Sequence, residues 1–192
     1  MTKLNDGMLL FHGSYATVEK IDLAMCGTAK DFGKGFYLTS DVKQAKSFIN
    51  QSIRKAISAG DISPDQRFGF ISSFVYHKPM DDIKTYEFTT TDREWLWFIG
   101  QNRRERLAAQ LRSKIDPDIF NAEIVIGKIA NDQTNMTITA YLNGLFGEVE
   151  SDAAVEDAIK RLMPEKLKDQ FCFLTDKAIK CLEFCEARKY VI

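Results

Sequence analysis

His12-Gly13-Ser14 closes a short apolar run, Met8 to His12, and sets an imidazole, an unhindered backbone and a small hydroxyl side by side. Glycine lets a ligand edge approach the main chain, while imidazole and hydroxyl supply donors and acceptors. The same triplet equally describes a strand-end histidine bonded to a carbonyl beside an ordinary turn. Asp31-Phe32-Gly33-Lys34-Gly35-Phe36-Tyr37-Leu38-Thr39 adds two glycines around a lysine, before an aromatic run that feeds directly into a helix. That pattern fits a β-bulge or tight turn, and it also fits a backbone kept clear for a bound group. Lys34 is either a solvated turn lysine or a contact for a phosphate or an acceptor.

The other chemistry-bearing residues each have a bland reading as well. Arg103, Arg104, Arg106, Arg112 and Lys114, downstream of Trp95, Trp97 and Phe98, make a solvated helix face or a contact for RNA or an acidic partner. His77 fits a surface turn, and Glu94-Trp95 fits a helix-start acid beside a core anchor. Cys26, Cys172, Cys181 and Cys185 form no CxxC pair, and the only histidines, His12 and His77, lie far from them, so no metal site is expected. Cys181 and Cys185 are expected on one helix face, as free thiols in a reducing compartment.

The elements that must position these residues follow from periodicity. Met8–His12 and Gly35–Thr39 are expected strands. From Thr39 or Ser40 as cap, apolar residues recur at Val42, Ala45, Phe48, Ile49, Ile53, Ala56 and Ile57 up to Gly60, the spacing of an amphipathic helix. Further strands are expected at Gly69–Tyr76, Ile83–Phe88, Glu123–Ile129, Met136–Leu142 and Gln170–Leu174, where β-branched and aromatic residues concentrate. Helices are expected at Asp92–Lys114, at Ser151–Met163 and, capped by Thr175, at Asp176–Glu183. Strands spaced unevenly by helices favour an α+β class over a doubly wound sheet, and no Rossmann fingerprint is present.

The chain has 192 residues and a formal net charge of −1, so no global field draws it toward nucleic acid or an anionic membrane. No repeat or Pro/Gly-rich linker divides it, and a single domain over residues 1–192 is expected. Apolar runs such as Met8-Leu9-Leu10-Phe11 fall far below the ~18 residues of a membrane span, so a cytoplasmic protein is expected.

Taken together, HGS and FGKGFYL resemble the first two motifs of the His-Tyr-Glu class of ADP-ribosyltransferases, the branch of poly(ADP-ribose) polymerases and diphtheria toxin. In the polymerases an aromatic follows the motif tyrosine by eleven positions on the next helix, and Tyr37 plus eleven is Phe48. The closing segment KDQFCFLTDKAIKCLEF resembles the family's third strand and helix, with Gln170 where the family has glutamate. The middle of the chain is closer to a bacterial branch of transferase-like domains, with EW before NR (Glu94-Trp95, Asn102-Arg103) and an Ile124–Ala130 strand. Some of its members sit beside small antitoxin-like proteins.

The resemblance implies an ADP-ribosyltransferase-type fold of two packed, mainly antiparallel sheets with flanking helices around an NAD cleft. It implies NAD as substrate without a metal, and transfer of one ADP-ribose to a protein or nucleic-acid acceptor, in a bacterial toxin paired with an antitoxin. His12, Tyr37 and Gln170 would form the catalytic triad. His12, Gly13, Ser14, Gly35, Phe36, Tyr37 and Phe48 would hold the dinucleotide: His12 and Ser14 at the adenosine ribose, Gly13 at the carboxamide, and Tyr37 and Phe48 about the nicotinamide ring. Two departures follow. Gln170 keeps a hydrogen bond to the nicotinamide ribose but loses the charge, at a typical cost of ~10²–10³ in rate, which disfavours polymer elongation. Ala45 stands where the polymerases place a serine on the carboxamide. Were Gln170 catalytically idle, a carboxylate from the Asp92–Lys114 helix, Glu94, is one place the acid could come from. The alternative is a catalytically silent module that keeps the fold and acts through a protein partner.

Overall fold

A computed structural model describes residues 2–80, 82–129, 132–163 and 167–192, with backbone alone at 105, 106, 108, 132 and 133. The described chain is mixed α+β with two sheets. In the first, β1 (Met8–Ser14), β3 (Phe68–Tyr76) and β7 (Leu182–Val191) run antiparallel in the order β1-β3-β7. In the second, β2 (Phe36–Leu38), β6 (Asp169–Phe173), β5 (Ile124–Lys128) and β4 (Thr85–Glu87) lie in that order. Only its β4–β5 pair is parallel.

The alternation of side chains along the strands decides how the layers stack. Leu10, Phe36, Leu38, Phe74, Ile124, Ile126, Phe171 and Phe173 are all buried in one cluster between the two sheets. The intervening Val125 and Cys172 face the other way. They pack into a second core with Trp95, Leu96, Phe98, Tyr141 and Val155 from α2 (Arg93–Arg103), α4 (Asp132–Leu142) and α5 (Asp152–Leu162). The second sheet is thus covered on both faces, which is why IVI and FCF are continuous apolar runs. The first sheet carries α1 (Val42–Ala59) on its remaining face, through Ala45, Ile49 and Ile53 packed with Ile71 and Phe11.

Several expected elements are redrawn. The cap of α1 is Asp41, whose carboxylate accepts from Lys43 N and Gln44 N, while the Thr39 hydroxyl turns to Gln44 Oε1 at 2.8 Å. The helix ends where expected, on Gly60 in the left-handed region at φ 80°. Asp92–Lys114 is not one helix: α2 stops at Arg103, Arg104 is extended, and α3 (Glu105–Arg112) begins anew. Met136–Leu142 is helix α4 and not a strand. Its buried Ile138, Tyr141 and Leu142 stand at helical spacing, and that packing outweighs the strand propensity of its threonines and isoleucine.

The helix expected at Asp176–Glu183 is only the short α6 (Asp176–Ile179), capped by Thr175. The ten residues after Cys181 form β7, an edge strand without a clear apolar stripe, held by its register on β3. Cys181 is therefore buried at the strand's approach and Cys185 exposed within it, so the two share no helix face. All four cysteines are free thiols. No helix among the described residues is long and apolar enough to cross a membrane.

Candidate active site at the split between β1 and β2

Besides the core between them, one backbone bridge joins the two sheets among the described residues. Phe11 and Thr39 exchange both backbone hydrogen bonds, 2.8 and 3.0 Å, as an isolated antiparallel bridge between β1 and β2. Continued pairing would set Gly13 opposite Tyr37, since antiparallel partners step in opposite directions. The strands part instead. Main-chain groups of alternate residues point to the same side, so the Gly13 N–H and C=O face the opening rather than β3. Among the described residues no backbone hydrogen bond engages Gly13 on that side. The opening therefore offers one donor and one acceptor, on either side of the Gly13 Cα, the complement of a carboxamide.

His12 spans the start of the split. Its Nδ1–H donates to Tyr37 O at 2.9 Å, which leaves Nε2 as an acceptor, and its ring lies 4.6 Å from that of Phe36. Burial holds the imidazole below its ordinary pKa, with Lys30 adding to the effect against the raising influence of the Tyr37 carbonyl. An unfolded histidine takes a proton first, so His12 should cost the protein stability as pH falls below about 6.5, and nothing above it. Urea midpoints at pH 7.5 and 5.5 check this: His12→Gln should lose less stability on acidification than the parent.

Tyr37 is fixed by the loop that precedes it. Its hydroxyl donates to Gly33 O at 2.8 Å and accepts from Phe32 N at 2.9 Å, and burial pushes its pKa far up, so it stays neutral. Phe32 stacks on it at 6.5 Å between ring centres. Gly35 is glycine for packing reasons, because a Cβ there would come within 2.6 Å of Cys172 Sγ and 2.8 Å of Phe173 O. Phe36 lies in the core between the sheets, and Lys34 is exposed at the turn. Ser14 is buried with its Oγ 3.5 Å from Ser52 Oγ, and Ser52 also accepts from Tyr15 N, so these hydroxyls tie β1 to α1. Phe48 lies three positions beyond Ala45, which touches Gly13, and four before Ser52; it is half-buried and belongs to none of the three core clusters.

Gln170 is two residues before Cys172, the β6 partner of Tyr37, and so shares its face of the sheet. It is only 3% exposed, and its Nε2 donates to Asp31 Oδ2 at 3.0 Å and to Lys128 O at 3.4 Å. Asp31, also buried, is paired with Arg103, whose Nε–H reaches Oδ1 at 3.0 Å. Asn102 Nδ2 donates to Asp31 O at 3.0 Å. The NR dipeptide on α2 thus holds the residue that opens the FGKG loop. No sequence pattern gives Asp31 a role of its own; its signal is the single NR dipeptide, Asn102-Arg103, downstream of a loop that needs an anchor.

Glu94 does not reach this group: its carboxylate accepts from the Tyr86 hydroxyl and from Asp116 N, both at 2.8 Å. That corrects its candidacy as a substitute acid. The basic cluster is dispersed as well. Arg103 serves Asp31, Arg112 lies 3.9 Å over the Phe120 ring, Lys114 pairs with Glu150, and the side chain of Arg106 lies outside the described residues. His77 pairs with Glu183 at 2.7 Å on the surface. Two open hollows lie elsewhere, one along Gln51, Arg54, Lys55 and Ser58 of α1 and one between Thr39, Gln44, Lys128 and Asp169.

Residues 8–184 match the model of a family described as a protein of unknown function, DUF3990. The chain belongs to the DUF3990 family. The match runs from β1 to the third residue of β7, so the split, the FGKG loop, the NR dipeptide and Gln170 all lie inside the DUF3990 region. No curated protein and no solved structure matches this DUF3990 chain.

Proposed function

We propose that this protein is an NAD-dependent mono-ADP-ribosyltransferase with an ADP-ribosyltransferase-type fold, acting on a macromolecular acceptor in the cytoplasm. The observation that carries the reading is the split: a glycine with an unpaired main-chain edge, opposite a neutral tyrosine, bridged by a neutral histidine. Nicotinamide fits that edge, its carboxamide meeting the Gly13 N–H and C=O. His12 Nε2 is free to accept from a ribose hydroxyl, and the exposed part of Phe48 is available to the ring.

In the reaction the bond from nicotinamide to ribose breaks, nicotinamide leaves with the electron pair, and an acceptor nucleophile bonds the same carbon and releases a proton. The transition state is cationic on the sugar. A neutral amide at Gln170 stabilises it less than a carboxylate does, which suits a single transfer. A toxin restrained by a small antitoxin protein is the setting that the family resemblance offers.

The second reading, a silent binding module, is favoured by two observations. Asp31 is neutralised by Arg103, and the Gln170 amide nitrogen is spent inside the protein. Nicotinamide release from NAD, measured with and without cell extract, separates the two. Transfer predicts release that depends on extract and falls at least tenfold in Tyr37→Ala and Phe48→Ala variants that remain folded. Absence of release together with absence of an NAD-induced melting shift would overturn the enzyme reading in favour of the binding module.

A further inference from the structure

We infer that Asp31, clamped by Arg103, is a positioning residue that dictates glutamine rather than glutamate at position 170 and aims the glutamine's carbonyl oxygen at a hydroxyl-bearing ligand. The first half stands on geometry alone, and the second rests on the function proposed above. Two acceptors, Asp31 Oδ2 and Lys128 O, converge on one terminal atom of Gln170. Only an –NH₂ group can donate to both, so the amide has one permitted orientation. Both of its hydrogens are spent. Oε1 has no hydrogen bond among the described residues, and it is not one of the enclosed polar atoms left without a partner.

A glutamate here would set a carboxylate against a carboxylate and a carbonyl with no hydrogen between them. The glutamine is therefore not a glutamate that lost its charge. The site keeps its carboxylate one layer back, on the loop before Tyr37, and shows the opening a neutral acceptor. An uncharged acceptor takes a hydrogen from a donor, and on the reading proposed above that donor is a sugar hydroxyl. Among the described residues, the charged and titratable groups facing Asp31 include Arg103 from α2, Lys30 from its own loop, Tyr37 from β2 and Cys172 from β6, while the Lys128 ammonium is engaged by Asp169.

The test is a four-member set of full-length proteins: parent, Gln170→Glu, Asp31→Asn and the double variant. Each is melted at pH 7.5 and pH 5, with and without NAD, and assayed for nicotinamide release from NAD in the presence of cell extract. Gln170→Glu should lose roughly 10 °C at pH 7.5, as a buried unpaired charge does. It should regain much of that at pH 5, because a proton shared with Asp31 replaces the missing amide hydrogen. The double variant, which exchanges acid and amide, should recover at least half of the loss at pH 7.5.

Additive losses, or a Gln170→Glu melt that follows the parent at both pH values, would overturn the positioning role. For the ligand half, the double variant should release nicotinamide about tenfold faster than the parent, since the charge then faces the sugar. Strong coupling in the melts with no NAD response in any of the four proteins would leave Asp31 as the determinant of Gln170 and overturn both the ligand half and the proposed enzyme.

Discussion

Arg103→Ala is expected to destabilise the protein by about 3–5 kcal/mol, the cost of leaving a buried carboxylate without its cation. For a chain of this size that is a fall of roughly 10 °C in Tm. The size of the effect comes from burial: the Asp31 and Arg103 side chains are 9% and 17% exposed, and solvent screens neither. The loss should not stay local. Asp31 orients Gln170 on β6, and its loop holds the Tyr37 hydroxyl through Phe32 and Gly33, so one substitution on α2 loosens the whole floor of the split. Arg112→Ala is the matched control. That guanidinium is exposed and lies on the Phe120 ring, so its removal should cost about 1 kcal/mol or less. Thermal melts of the two variants side by side check the ranking.

Gly13→Ala carries the other large effect. A Cβ at residue 13 would stand 1.9 Å from Ala45 O and 2.8 Å from Ala45 C, both main-chain atoms of a packed helix. Neither can swing aside as a side-chain tip would, so α1 must move by more than an ångström. Ile49, Ile53 and Ala56 resist that movement because they are buried against the sheet. Overpacking of this kind costs about 3 kcal/mol or more. The loss should appear as a fall in Tm of roughly 6–12 °C. Ala45→Gly should not rescue it, because the clash is with the carbonyl and not with the side chain. Any NAD-dependent melting shift should disappear as well, since Phe48 rides on the displaced helix.

Pattern carries information where a single signal dominates a segment. The strand ending in His12, the helix after Thr39 and the β5 and β6 runs were legible because each has one dominant signal, either period or a doubly buried apolar run. The α4 segment was not, because NMTITAYL carries strand propensity over helical burial and only the neighbours on α2 and α5 decide. The β7 strand was not, because an edge strand held by main-chain pairing has no side-chain stripe to read.

At the site, the residues of HGS and FGKGFYL were legible as motifs. The partners that give them shape were not. Asp31, Asn102 and Arg103 are 71 and 72 positions apart, and their pairing is a property of the fold. The acid expected from Glu94 illustrates the same limit: the right helix carries the partner, but nine positions further along and with the opposite charge.

The order of strands in the first sheet also constrains how this chain is made. Strand β3 lies between β1 and β7, and its longest register, from Phe68↔Val191 to Tyr76↔Leu182, is with β7, more than a hundred residues further along the chain. During translation β1 and β3 can meet early, but the pair leaves β3 with an open hydrogen-bonding edge until residue 191 has cleared the ribosome. Contacts closed over more than a hundred residues form slowly, and unpaired edges recruit other chains meanwhile. The site at the β1–β2 split therefore matures only after synthesis of β7, so a nascent chain carries its His12 and Tyr37 long before the scaffold around them is complete.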